Sequence, residues 1–192
     1  MKRSELKKII LIGASTGGPG HIQKIIQALP ADYSATVIIA QHMGDEYIPS
    51  FVNQLQHVSH LNVMAVTDQL AILPGHVYIC SFLTRLTSSL LGLTFIQKKQ
   101  EMVRYNPDID SLFKSAALLT TAYGVTAFLL TGVGDDGAKG MKVLSDKGAF
   151  CVAESEASAV VYGMPFQAKL LVKGLSVKSL SEIIQTIKLL GS

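Results

Sequence analysis

Three residues in this chain have the types needed for acyl-group hydrolysis, and each follows a short apolar run. Ser15 lies in Gly13-Ala14-Ser15-Thr16-Gly17-Gly18, His42 in Gln41-His42-Met43-Gly44, and Asp136 in Gly132-Val133-Gly134-Asp135-Asp136-Gly137. Brought together they would be a nucleophile, a base and an orienting carboxylate: the imidazole takes the proton of Ser15 Oγ, and the carboxylate holds the useful tautomer and stabilises the imidazolium. Each residue also has a plainer reading. Ser15 can cap the helix that follows or line an anion site, and His42 can be a hydrogen-bonded histidine at a strand end. Asp136, ahead of Gly137 and a helix, is a natural N-cap, and Asp135 competes with it for any catalytic role. A triad requires the three strand ends to be neighbours, which spacing does not fix.

The elements around these residues alternate. Apolar, β-branched runs at 8–12, 36–40, 126–131 and 149–153 read as buried parallel strands. Between them, Ile22, Ile25, Ile26 and Leu29 recur at helical spacing with Pro30 just beyond, and further helices are expected over 48–55, 109–122 and 138–146. Asp108 or Asp110 is expected to cap the 109–122 helix. The spacing of Ser179 and Glu182 predicts a capping box at the start of a closing helix. Short β-like runs at 62–66, 76–80 and 93–96 have no clear helix between them and read as an antiparallel excursion. The expected class is α/β: a doubly wound, mostly parallel sheet with helices on both faces and an antiparallel hairpin at one edge. Ligands of such sheets bind beyond the carboxyl ends of the strands, where all three polar turns lie.

Composition narrows the field. The chain has 192 residues, 48% of them hydrophobic and 16% charged, which favours a single core over 1–192 and is opposite to the balance of a disordered chain. A net charge of +3, scattered apart from a basic start, does not suggest a nucleic-acid partner. No apolar run approaches the roughly 20 residues that span a bilayer, and no signal-peptide stretch precedes Gly13, so a cytoplasmic protein without membrane insertion is expected. Cys80 and Cys151 read as buried core thiols. The first turn lacks the second glycine of a dinucleotide fingerprint, no phosphate-binding G-x-x-x-x-G-K-[ST] loop occurs, and the five histidines form no H-E-x-x-H. Gly13 to Gly17 fit G-x-S-x-G, but the order Ser, His, Asp differs from the Ser, acid, His order of α/β-hydrolases.

Together the three turns resemble the signature turns of the CheB-type protein-glutamate methylesterases, the third extending back to Leu130-Thr131. Pro74-Gly75-His76-Val77-Tyr78-Ile79, Asp110-Ser111-Leu112-Phe113-Lys114-Ser115-Ala116 and Tyr162-Gly163-Met164-Pro165 also match, so the resemblance runs through nearly the whole chain. It implies Ser15 as nucleophile, His42 as base, Asp136 as acid, backbone N–H groups of Thr16 and Val133 as oxyanion donors, and no metal or cofactor. It also implies methyl-esterified glutamates on the cytoplasmic domains of chemoreceptors as substrate, and in many members deamidation of receptor glutamines.

Some positions depart from the family pattern. Val133 stands where Met is usual, Cys80-Ser81-Phe82 replaces Ala-Pro-Gly, Arg85-Leu86 replaces His-Leu, and Asp68-Gln69-Leu70 replaces a Gly-Glu element. Family members usually carry an N-terminal receiver domain; here the first strand starts at Lys8, and either a member without that domain or an excised catalytic domain is expected, the former favoured. The competing expectations are a noncatalytic anion- or receptor-binding module, and a hydrolase of small esters or amides using the same triad.

Overall fold

The structure, a computed structural model, describes residues 6–90, 92–99 and 104–192. In chain order the strands are β1 (Lys8–Ala14), β2 (Thr36–Gln41), β3 (Asn62–Ala65), β4 (His76–Ile79), β5 (Leu83–Ser89), β6 (Gly92–Lys98), β7 (Gly124–Leu129), β8 (Phe150–Glu154) and β9 (Ser176–Lys178). The helices are α1 (Gly18–Gln27), α2 (Ile48–Val58), α3 (Ile109–Ala116), α4 (Ala138–Asp146), α5 (Met164–Leu171) and α6 (Leu180–Leu190).

Among the described residues seven strands form one sheet in the order β3-β4-β2-β1-β7-β8-β9, and each pairing in it is parallel. Ile9 and Leu11 of β1 face one side, where α3, α4 and α5 pack, while Ile10 and Ile12 face the other, covered by α1, α2 and α6. Burial on both faces is why these strands read as unbroken apolar runs rather than alternating ones. Helix ends follow their local chemistry. Asp108 caps α3 by accepting from the Ser111 N–H at 2.6 Å, and Ser179 with Glu182 closes a capping box on α6. Gly17, at φ 84°, turns the chain from β1 into α1.

The middle of the chain differs from expectation. β3 and β4 are parallel to each other and to β2, so the runs at 62–66 and 76–80 extend the main sheet instead of turning back along it. The antiparallel pair is β5 with β6, a separate two-stranded sheet. That hairpin roofs the β3–β4 connection, which has no helix of its own: Gln69 N–H donates to Phe95 O, Phe95 N–H to Leu70 O, and Ile72 N–H to Leu93 O. Phe95, Leu86, Leu93, Val66 and Ile72 bury in one cluster with Tyr78 of β4. The hairpin thus supplies the cover that a crossover helix gives elsewhere. The 109–122 helix also ends sooner, at Ala116, tightening into a 3-10 turn over Ala117–Leu119. Strands β5 and β9 and helix α5 were not anticipated.

Candidate active site

β1 lies between β2 and β7, so the three strands whose ends carry Ser15, His42 and Asp136 are neighbours. The chain leaves β1 first toward β2 and returns on its other side as β7, which makes this edge a topological switch point. Backbone hydrogen bonds stitch the ends together: Ser15 N–H donates to Thr131 O at 2.9 Å, His42 N–H to Ala14 O at 2.9 Å, and Leu130 N–H to Gly13 O at 2.8 Å. Gly132 allows the close approach, since a side chain there would stand 2.6 Å from Ser15 Cβ.

His42 and Asp136 meet directly, with Nε2 2.7 Å from Asp136 Oδ2. Asp136 is 4% exposed, and its carboxylate is held from several directions. Oδ2 also accepts from Ile109 N–H at 2.9 Å, and Oδ1 accepts from Asp110 N–H at 3.0 Å and Gly137 N–H at 2.9 Å. Two of these donors are first-turn amides of α3, groups that have no partner within the helix and whose dipole favours negative charge. Asp136 therefore does not serve as the N-cap of α4, where Gly137 holds that place. Asp135 points elsewhere, accepting from Tyr105 Oη–H at 3.0 Å and lying 3.5 Å from Arg104. Among the described residues Ser15 Oγ makes no hydrogen bond.

Residues that sequence reasoning missed complete the surroundings. The Tyr105 ring stacks on the His42 imidazole, with centroids 5.0 Å apart and planes within 2°, and Arg104 lies over the tyrosine ring at 4.9 Å. Desolvation raises the Tyr105 phenol above its ordinary value, with the hydrogen bond to Asp135 adding to the shift. Asp110, whose amide serves Asp136, accepts from Gly140 N–H at 2.6 Å through its own carboxylate. Burial raises its pKa, against the opposing effects of that N–H and of Lys114. Glu154, fully buried at the end of β8, accepts from Thr131 N–H at 2.9 Å and Ser158 Oγ–H at 2.8 Å, with His21 Nδ1 at 3.3 Å. Thr131 Oγ–H in turn donates to Thr16 O at 2.8 Å. The visible signal for Glu154 was a carboxylate closing an apolar strand.

Thr16 and Val133 are exposed at the rim, and among the described residues neither backbone N–H donates a hydrogen bond. A cleft of about 150 Å³ beside Asp136 is lined by Arg104, Tyr105, Asp108, Asp110, Asp135 and Lys139. A larger hollow of about 290 Å³ opens at the other ends of β1, β7 and β8 and holds none of the three candidate residues. Among the described residues no group of three or more His, Cys, Asp or Glu side chains is placed to hold a metal ion, and no helix is long and apolar enough to cross a membrane.

The family model for CheB methylesterase matches residues 10–187. The chain belongs to the CheB methylesterase family. A protein-glutamate methylesterase/protein-glutamine glutaminase of Albidiferax ferrireducens is 39% identical over 171 residues, covering 86% of this chain and 45% of that protein. Its counterpart in Carboxydothermus hydrogenoformans is 36% identical over 171 residues, covering 86% of this chain and 48% of that one. The chain thus spans about half the length of the curated relatives it matches. The CheB methylesterase catalytic domain of Thermotoga maritima superimposes with a TM-score of 0.87 at 30% identity, covering 97% of this chain and all of that structure. The CheB fold, with the seven-stranded parallel sheet and the added antiparallel pair, is that of the present chain.

Proposed function

We propose that this chain is a single catalytic domain that hydrolyses methyl esters of glutamate side chains, with Ser15 as nucleophile, His42 as base and Asp136 as the orienting acid. The observation that carries this reading is the 2.7 Å contact between His42 Nε2 and Asp136 Oδ2 at the strand end next to Ser15, in a chain of the CheB family. With Nε2 donating to the carboxylate, Nδ1 is the ring nitrogen left to accept a proton. The Ser15 hydroxyl gives its proton to Nδ1 as Oγ attacks the ester carbonyl, and Asp136 stabilises the imidazolium. The tetrahedral oxyanion takes hydrogen bonds from the free N–H groups of Thr16 and Val133; one such donor is worth about 3 kcal/mol in the transition state. Methanol leaves with the proton from His42, and water then hydrolyses the glutamyl-serine ester by the reverse proton route, returning Ser15 and a glutamate carboxylate.

The substrates of this reading are methylated cytoplasmic domains of chemoreceptors, and the protein is placed in the cytoplasm with them. The names of the relatives support the same site deamidating receptor glutamines, where ammonia replaces methanol as leaving group. The steps use side chains and backbone of this chain together with one water molecule. Methanol release from methylated receptor, compared between wild type and Ser15→Ala, tests the reading: the variant is expected to be inactive, and full activity in it overturns the assignment. Equal turnover of a small methyl ester and of methylated receptor peptide would point instead to a hydrolase of small esters.

A further inference from the structure

We infer that Gln41 is a positioning residue that sets the spacing between nucleophile and base. This rests on the reading of Ser15 and His42 given above. Gln41 is the last residue of β2 and is 2% exposed, at a point where the preceding residues Val37, Ile38, Ile39 and Ala40 are all apolar and buried. Its side-chain amide donates twice: Nε2 to Ser15 O at 2.9 Å and Nε2 to His42 O at 3.0 Å. One planar group therefore holds the carbonyls of both residues, bridging the turn after β1 to the turn after β2. His42 N–H to Ala14 O joins the same two turns through the backbone, but it does not grip Ser15. The Gln41 contact does.

The other end of the amide marks the cost of this arrangement. Gln41 Oε1 is the buried side-chain oxygen for which no hydrogen-bond partner is found among the described residues. It packs against Gly18, where a Cβ would overlap it, so the absence of a side chain at Gly18 gives the amide its place. A buried acceptor without a partner is unfavourable, and a residue selected for stability alone at the end of an apolar strand would be another aliphatic. Local rules of this kind are broken where a site demands it. Both N–H groups of the amide are spent on the residues proposed as nucleophile and base, and a shift of about 1 Å between such groups can cost about a hundredfold in rate.

The test compares wild type with Gln41→Met, which keeps the length and loses both donors, and Gln41→Glu, which keeps the shape and sets a carboxylate against the two carbonyls. Two quantities are measured on folded protein: the rate of Ser15 labelling by a fluorophosphonate, and kcat and KM for methanol release from methylated receptor. Both variants are expected to label Ser15 about tenfold more slowly or worse, with kcat reduced in parallel and KM unchanged. Gln41→Glu serves if Gln41→Met fails to fold. Labelling and kcat within twofold of wild type in a folded variant overturn the role of Gln41 while leaving the nucleophile assignment intact. A wild-type protein that is not labelled at Ser15 overturns the nucleophile assignment, and this inference with it.

Discussion

Asp136 shows how a single carboxylate is made to work on one neighbour. Its oxygens accept from Ile109, Asp110 and Gly137 N–H groups, which fixes its orientation and leaves Oδ2 aimed at His42. Asp136→Asn replaces one acceptor by an amide donor facing either backbone N–H groups or the imidazole, so His42 loses the tautomer that leaves Nδ1 free. The expected result is a fall in kcat of about a thousandfold to ten-thousandfold, with a lowered Tm because at least one buried backbone N–H loses its acceptor, read from methanol release and thermal melting. Asp110 gives a prediction of different sign. Burial raises its carboxyl above 3.8, so the native state holds this proton more tightly than the unfolded chain does. Stability from this group therefore declines as pH rises from about the ordinary carboxylate value through the raised native one, and is flat above it. Asp110→Asn keeps an oxygen for the Gly140 N–H and removes the titration. Relative to wild type, the variant should gain in urea midpoint between pH 3 and pH 7; a relative loss over that interval would contradict the sign.

The elements explain which parts of the site could be read in advance. Ser15, His42 and Asp136 were legible because each stands in a glycine-containing turn just past an apolar run, and α/β order places such turns on one edge. The amides that hold Asp136 were not, because Ile109 and Asp110 lie some distance back along the chain and only folding brings α3 beneath the turn after β7. The direction of β3 and β4 was also hidden: a four-residue apolar run carries no sign of parallel or antiparallel pairing, and the cover that permits a parallel crossover comes from a hairpin later in sequence. Gln41 and Glu154 gave a signal that could have been used, a polar residue closing an otherwise buried strand. At the end of β8, Glu154 anchors the Thr131 amide, and Thr131 carries both the Ser15 N–H and the Thr16 carbonyl. Glu154→Leu leaves the Thr131 N–H buried without an acceptor, which should cost about 1–3 kcal/mol. Glu154→Gln retains an acceptor and should lose less, an ordering that denaturant midpoints will show directly.

At the scale of the molecule, one sheet separates two apolar layers, and the site sits where both layers end. Cys80, just past β4 under the β5–β6 hairpin, and Cys151 in β8 lie far apart in strand order yet belong to the same layer. Both are free and buried, and desolvation raises both thiols, Cys151 to about 12. Neither is thus a reactive thiolate near neutral pH in the folded state, and alkylation must wait for opening of the structure around it. The two cysteines report on opposite flanks of the sheet: one depends on the hairpin that covers the β3–β4 side, the other on the α4 and α5 side. If the chain unfolds as one cooperative unit, both should become accessible to iodoacetamide at the same urea concentration, and that midpoint should coincide with the loss of far-ultraviolet circular dichroism. Earlier exposure of Cys80 would mean that the hairpin side opens as a separate unit. The proposal of a single folded domain requires coincidence, because β1, β2 and β7, which carry the site, join the two flanks through continuous parallel pairing.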